Sequence, residues 1–169
     1  MGNSMENSSL PSAPPAALLL SAADIAFEVH RHEAIRTAED IRARTDFTEQ
    51  KRANSVKTMA FVTAPGDVVL AAVPGLARIR YGPLASALGV KRSALKPADE
   101  EALRQLDMEP GGVSPLCADP RVTVVFDSAV PLMGRVLCGS GWPQYTVEAE
   151  SADIVRLAPN VVIADIAVP

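Results

Sequence analysis

The sequence is short of aromatic residues, cysteine and histidine. Aromatics make up 4% of the 169 residues, against 48% hydrophobic residues in all. A core must therefore be built from Val, Leu, Ile and Ala rather than from stacked rings. The only cysteines are Cys117 and Cys138, with no CxxC spacing. This argues against a disulfide framework and fits a reducing cytoplasm. The only histidines, His30 and His32, leave a thin ligand inventory for zinc. No apolar run approaches the roughly 18 residues of a membrane span. The early run Ala16–Leu20 follows residues 1–15, which hold no Lys or Arg, so it does not read as a secretory signal.

The length is that of about one domain, long enough to bury its own core. The charged fraction, 21%, is ordinary, and the net charge of −4 is unevenly spread. Residues 78–96 carry Arg78, Arg80, Lys91, Arg92 and Lys96 with no acid, whereas residues 97–169 carry eleven acids against four bases. Such a basic region can dock a polyanion, or it can be a solvated face beside a helix.

Residues 1–15, rich in Ser, Asn and Pro, read as a disordered tail, and residues 16–169 as a single domain. Leu18–Ile25 reads as the end of a helix and Phe27–His32 as a strand. Thr37 can cap a helix running to about Thr45, with Asp40 three places on. Ser55–Thr63 and Val68–Val73 read as strands joined by the turn Ala64-Pro65-Gly66-Asp67. Pro83–Leu88 is expected as a helix closed by Gly89, and Pro97 as the start of another. Glu109–Leu116 is irregular. Arg121–Phe126, Arg135–Cys138, Tyr145–Glu148 and Val161–Ile166 read as strands, with a helix over Ser151–Leu157 capped by Ser151. The irregular interleaving of helices and hairpins predicts an α/β fold with a mixed sheet rather than a doubly wound parallel one.

Four segments could carry chemistry. In the strand around Val56-Lys57-Thr58-Met59-Ala60-Phe61, Lys57 is the only charge among apolar residues on both faces. It must reach water or meet an anion. Pro110-Gly111-Gly112-Val113-Ser114-Pro115 lets backbone N–H groups approach a ligand oxygen, although an ordinary turn explains it too. It is neither a P-loop nor a nucleophile elbow, since the flanking residues differ. Gly139-Ser140-Gly141-Trp142-Pro143 joins two strands and could expose Trp142 as a stacking surface. Period two places Glu28, His30 and His32 on one strand face, either as a metal site or as polar residues at a pocket rim.

The order of these segments is more specific than any one of them. Val-Lys-Thr at 56–58, Gly-Gly-Val-Ser-Pro-Leu some fifty residues later, then Gly-Ser-Gly leading to Thr146-Val147-Glu148 and Ser151–Val155, resembles the YbaK-like aminoacyl-tRNA deacylases. That family includes the editing domain associated with prolyl-tRNA synthetase. Phe27–His32 looks like its first strand and Leu84–Arg92 like its middle helix and turn. The resemblance covers about residues 18–166. It implies a mixed, mostly antiparallel sheet curled towards a barrel, with flanking helices. It implies hydrolysis of the ester between an amino acid and the 3′ adenosine of tRNA; the thin ligand inventory predicts that this hydrolysis needs no metal, and no cofactor is expected. The implied catalytic residues are Lys57, Gly111, Gly112 and Ser114; the implied substrate-binding residues are His32, Val113, Pro115, Gly139, Ser140 and Gly141. The implied partners are the acceptor end of aminoacyl-tRNA and a synthetase, in the cytoplasm. Trp142-Pro143-Gln144 departs from the more basic or small residues common after that loop. Competing readings are a non-catalytic module that binds tRNA ends or a synthetase, a metal-dependent hydrolase using His30 and His32, and a small-molecule binding domain.

Overall fold

The computed structural model describes residues 13–63 and 66–169. The first twelve residues of the expected tail, and Ala64 and Pro65 of the expected turn, lie outside the described residues. The chain forms α1 (Pro15–Ala22), β1 (Glu28–Arg31), α2 (Ala38–Arg44), α3 (Glu49–Ala53), β2 (Ser55–Val62), β3 (Val68–Pro74), β4 (Arg78–Ile79) and α4 (Tyr81–Leu88). There follow β5 (Lys96–Pro97), α5 (Glu100–Arg104), β6 (Thr123–Asp127), β7 (Arg135–Gly139), β8 (Tyr145–Glu150), α6 (Ser151–Leu157), β9 (Val161–Ala164) and β10 (Ala167–Val168). No helix among the described residues is long and apolar enough to cross a membrane.

Local chemistry accounts for most of these boundaries. The Thr37 hydroxyl accepts from Asp40 N at 3.1 Å, and the Asp40 carboxylate accepts from Arg36 N at 3.0 Å, which closes the first turn of α2. Gly89 ends α4 in the left-handed region, at φ +70°. Helix α1 opens on Pro15, one residue inside the expected tail, and buries Ala16, Ala17 and Leu20. Two expectations are corrected. Pro97 lies in β5, and it is Asp99 that caps the next helix, accepting from Ala102 N at 2.9 Å. Ser151 is the first residue of α6 rather than its cap; its hydroxyl accepts from Gly134 N, just before β7.

Eight strands form one mixed sheet in the order β1-β8-β7-β2-β3-β6-β9, with β5 added to β2, while β4 and β10 pair separately. The pairs β1/β8, β8/β7, β2/β3 and β2/β5 are antiparallel; β7/β2, β3/β6 and β6/β9 are parallel. This is the mixed, mostly antiparallel sheet flanked by helices that the resemblance implied. Both faces are covered. Leu70, Ala72, Val124 and Phe126 pack with α1 and α6 on one side. Val69, Ala71, Val73 and Val125 pack with α4 on the other. A strand buried on both faces must be apolar at consecutive positions, which is why β3 reads Val-Val-Leu-Ala-Ala-Val.

Asp127, buried at the end of β6, fastens the C-terminal segment to the sheet. Its Oδ1 accepts from Ile166 N and Ala167 N, both at 2.9 Å, and its Oδ2 from Ala129 N at 3.0 Å. Removing the carboxylate strands buried donors, which costs about 1–3 kcal/mol for each unsatisfied group. Asp127→Ala is expected to lower stability by about 3 kcal/mol, a fall of roughly 6–12 °C in Tm for a chain of this size. A thermal melt checks this; a shift under about 2 °C would show that the segment is held by packing alone.

Candidate active site

Strand β2 is paired with β3 along nearly its whole length, from Val56 to Val62. Its other edge is paired only at the ends. Ser55 and Val56 meet β7, and Phe61 and Val62 meet β5, so residues 57–59 have no strand partner there. Ala60 O accepts from Ala98 N on that edge at 2.9 Å. Main-chain direction alternates along a strand, so Thr58, two residues earlier, turns its N–H and C=O towards the same gap. The Thr58 hydroxyl is also buried, with no partner among the described residues. A cavity of about 550 Å³ opens where the sheet divides, lined among others by Lys57, Thr58, Met59, Val113, Cys138 and Gly139. Residues 35–38, Ile41, Arg42 and Phe47, from the segment between β1 and β2, form its other wall.

The wall is electrostatically one-sided. Arg36, Arg42, Arg52 and Lys57 line the cavity, and no Asp or Glu does among the described residues. Arg42 pairs with Glu39 at 2.9 Å. Arg52 donates to Phe47 O, and Lys57 Nζ to Ala77 O at 2.6 Å, so both cations meet only neutral carbonyls. Lys57 is exposed where β2's second edge opens, and its ammonium therefore avoids the core and faces solvent at the cavity.

The two glycine-bearing loops meet backbone to backbone. A Cβ at Gly139 would stand 2.0 Å from Val113 O, and one at Gly112 would stand 2.4 Å from the Trp142 carbonyl carbon. Gly141 N donates to Gly112 O at 2.6 Å, and Glu109 N to Gly141 O at 2.8 Å. Gly111 sits at φ +87°, where a Cβ would lie 2.1 Å from Ile35 O. The close approach that the sequence suggested for a ligand is thus made by the protein's own connector. Gly112 N is committed to Glu109 O at 2.9 Å. The N–H groups of Gly111 and Val113 meet no backbone acceptor among the described residues.

The structure thus brings Lys57, Gly111, Val113 and Gly139 to one cavity. The other singled-out residues stand behind it. Ser114 is fully buried, its Oγ accepting from Leu116 N at 3.0 Å, and Pro115 is buried beside it. Ser140 is fully buried, with its hydroxyl 2.7 Å from Tyr145 O, where it closes the 139–145 loop. Gly141 packs against Pro15. His32 does not line the cavity; its Nε2 bonds Thr146 Oγ1, which belongs to a lining residue, at 2.8 Å. Trp142 is half-buried against Tyr145, with ring centroids 6.2 Å apart, rather than standing free as a stacking surface. Cys138 is buried, and desolvation pushes its thiol up to about 12, so it is not a nucleophile at neutral pH. Sequence reasoning missed Arg36, Arg42 and Arg52. In a polar, charged stretch each looks like any solvated cation.

The two histidines do not converge. His30 turns to Glu148, with Nε2 2.8 Å from Oε1, and one possible ligand atom from each of Glu28, His30 and Glu148 lies within 4.8 Å of the others. The Glu148 carboxylate is already held by cations, Lys51 at 2.9 Å and Arg135 at 3.0 Å. Burial alone would raise its pKa, but hydrogen bonds from Lys51, His30 and Arg135 outweigh that and hold it down to about 2. The network ties α3, and with it Arg52, to the sheet beside the cavity.

A depressed carboxylate pKa gives stability that is fully present above the unfolded value, near 4.5, and is lost as pH falls through the folded value, near 2. Glu148→Gln is therefore expected to cost about 2–3 kcal/mol at pH 7 and to flatten the acid limb of the stability curve between those two pH values. Urea unfolding from acid to neutral pH reads both effects. Gly111→Val should lower Tm as well as activity, because it meets both the positive φ and the Ile35 carbonyl. An unchanged melt would show that the connector moves freely aside.

The family model for the aminoacyl-tRNA editing domain matches residues 32–157. Among solved structures, a protein proposed as a trans-editing enzyme for prolyl tRNA synthetase is 23% identical, with 94% of this chain and 100% of that chain covered at a TM-score of 0.70. The hypothetical protein APE2540 is 20% identical, over 90% of this chain and 98% of the other, at a TM-score of 0.72. A scaffold used for epitope backbone grafting is 21% identical, over 93% and 99%, also at 0.72. No curated protein matches the chain. The structural likenesses show the fold, and the family model spans well over half the sequence: the chain belongs to the aminoacyl-tRNA editing domain family.

Proposed function

We propose that this protein is a trans-acting deacylase that hydrolyses the ester of mischarged tRNA, acting in the cytoplasm on tRNA that a synthetase has wrongly charged. The observation that carries the proposal is the cavity at the divided edge of β2, walled by Arg36, Arg42, Arg52 and Lys57 without an acid among the described residues. An anionic chain end with a small esterified group suits such a wall.

Each group then has a task. The Lys57 ammonium, a compact point charge held only by the Ala77 carbonyl, takes a phosphate or ribose oxygen of the terminal nucleotide. The N–H groups of Gly111 and Val113, without a backbone acceptor among the described residues, donate to the ester oxygen as negative charge develops on it. Thr58 adds polar groups at the gap. Gly112, Ser114, Pro115, Ser140 and Gly141 hold the loops in place behind these donors. Ile35, Ile41, Phe47 and Met59 offer an apolar wall for a small side chain. No carboxylate of the described residues lines the cavity, and the Cys138 thiol stays protonated. Attack therefore falls to water or to a group of the substrate itself. An aminoacyl ester is reactive enough for positioning to supply much of the rate. A synthetase pocket separates amino acids differing by one methylene by only about 10–200-fold, which is the gap a second sieve fills.

A panel of tRNAs mischarged with alanine, serine or cysteine, scored for amino acid release, tests the activity. Lys57→Ala is expected to stay folded and to lose turnover on the order of 10²–10³-fold in single-turnover assays. Lys57→Arg should rescue poorly, because a planar fork does not replace a compact ammonium. Near-normal release by folded Lys57→Ala would remove the lysine from the reaction. Tight binding of tRNA without release of any amino acid would leave a binding module in place of the enzyme.

A further inference from the structure

The lysines and arginines of this chain sort into two groups. Arg42, Arg44, Lys51, Arg104, Arg121, Arg135 and Arg156 are held in ion pairs. Among the described residues the others are Arg31, the cavity's Arg36, Arg52 and Lys57, and all five cations of residues 78–96. Arg78, Arg80, Lys91, Arg92 and Lys96 are all exposed. The stretch contains no acid, in a protein whose net charge is −4. A protein with so many carboxylates available leaves these cations free.

The stretch is continuous with the cavity. Leu76 lines the cavity and is 76% exposed, and Ala77 holds the Lys57 ammonium. Arg78 follows at once. In β4, Ile79 packs inward against the α4-side core, so Arg78 and Arg80, on either side of it, share the outward direction. Arg80 precedes α4, whose Leu84 and Ala85 are buried, and Lys91 and Arg92 follow its glycine cap. Arg80 and Lys91 thus flank an eight-residue helix about 12 Å long.

We propose that Arg78, Arg80, Lys91 and Arg92 form the docking surface for the duplex stem next to the tRNA 3′ end, by contact with its phosphate backbone. The inference rests on the deacylase reading for the identity of the RNA. With the terminal nucleotide at Lys57, the preceding chain leaves over the Leu76–Ala77 turn and meets Arg78 first. Such contacts position without reading bases, and they make affinity salt-dependent.

The test uses the full chain and a variant carrying Arg78→Gln, Arg80→Gln, Lys91→Gln and Arg92→Gln, with Arg156→Gln as a control for net charge. Thermal melts of each establish that the variants are folded. Binding of uncharged tRNA is titrated from about 50 to about 300 mM salt, a range over which phosphate contacts weaken steeply. Release is measured on aminoacyl-tRNA and on a short single-stranded 3′-aminoacyl oligonucleotide. The fourfold variant is expected to raise KM for aminoacyl-tRNA at least about tenfold and to reduce the salt slope by about 1 for each phosphate it no longer neutralises. Its cleavage of the oligonucleotide should match that of the unmodified protein. An unchanged KM and slope would overturn the proposal and leave the stretch for an acidic protein surface. An equal loss on both substrates would overturn it too, since the cations would then act through the cavity. Absence of release by the unmodified protein on either substrate would instead sink the deacylase reading, while the salt titration would still decide whether this surface holds RNA.

Discussion

An interior strand that lacks a partner over three residues is the constraint on which the rest of the site depends. Buried backbone N–H and C=O groups are almost always paired, and β2 meets that demand along its β3 edge. On the other edge β7 lets go after Val56 and β5 takes hold only at Phe61. The gap would be costly in a dry core, and here it opens on a cavity that admits water or a ligand. Lys57 and Thr58 stand in that gap because of register, not because of any local sequence preference. The lone charge and the orphaned hydroxyl of β2 have the same origin.

Keeping the gap open calls for rigid surroundings. The 109–114 and 139–145 loops fit into each other at distances no Cβ would permit, and two hydrogen bonds bind them from Glu109 and Gly112 to Gly141. The connector after β1 is fixed in turn by His32 N to Gln144 O and Ile35 N to Pro143 O. These interactions hold the segment that carries Gly111 and Val113 against the cavity. A hydrogen-bond donor fixed before reaction spends no free energy on reorganising when charge appears on a substrate oxygen. The glycines let three backbone segments lie against one another at distances that no Cβ would allow.

Much of this was legible in the sequence. Lys57 stood out because a single charge in an apolar strand has few bland explanations. The Gly111-Gly112 pair marked a place where backbone could come close to a ligand, while the Gly139–Gly141 loop read as a hairpin connection and gave no sign that Gly139 lies against Val113. Strands long enough to show an apolar pattern, such as β3 and β6, were recovered within a residue or two. The failures have physical causes. Helix α3 is five residues long and shows no period, and β4, β5 and β10 are two residues each, so only tertiary pairing defines them. Ser114 and Ser140 are fully buried and their hydroxyls close turns, which the sequence pattern alone did not show. Arg36 and Arg52 have no local signal at all, because their importance comes from the wall they complete.

Local charge, rather than net charge, decides what such a surface attracts. At physiological salt the Debye length is about 8 Å, so an exposed cation feels an adjacent carboxylate but hardly one across the molecule. The eleven acids of residues 97–169 therefore do not neutralise the cavity, while they do keep the protein from holding any polyanion at any place. Ion pairs have removed several of the remaining cations from play, among them Arg104, Arg121, Arg135 and Arg156 in that same half. Among the described residues, the cations outside ion pairs include Arg36, Arg52 and Lys57 at the cavity and, beyond the Leu76–Ala77 turn, Arg78, Arg80, Lys91 and Arg92. Cations spread over a surface in this way favour an extended anion over a compact one of equal charge, because only the extended one reaches them all.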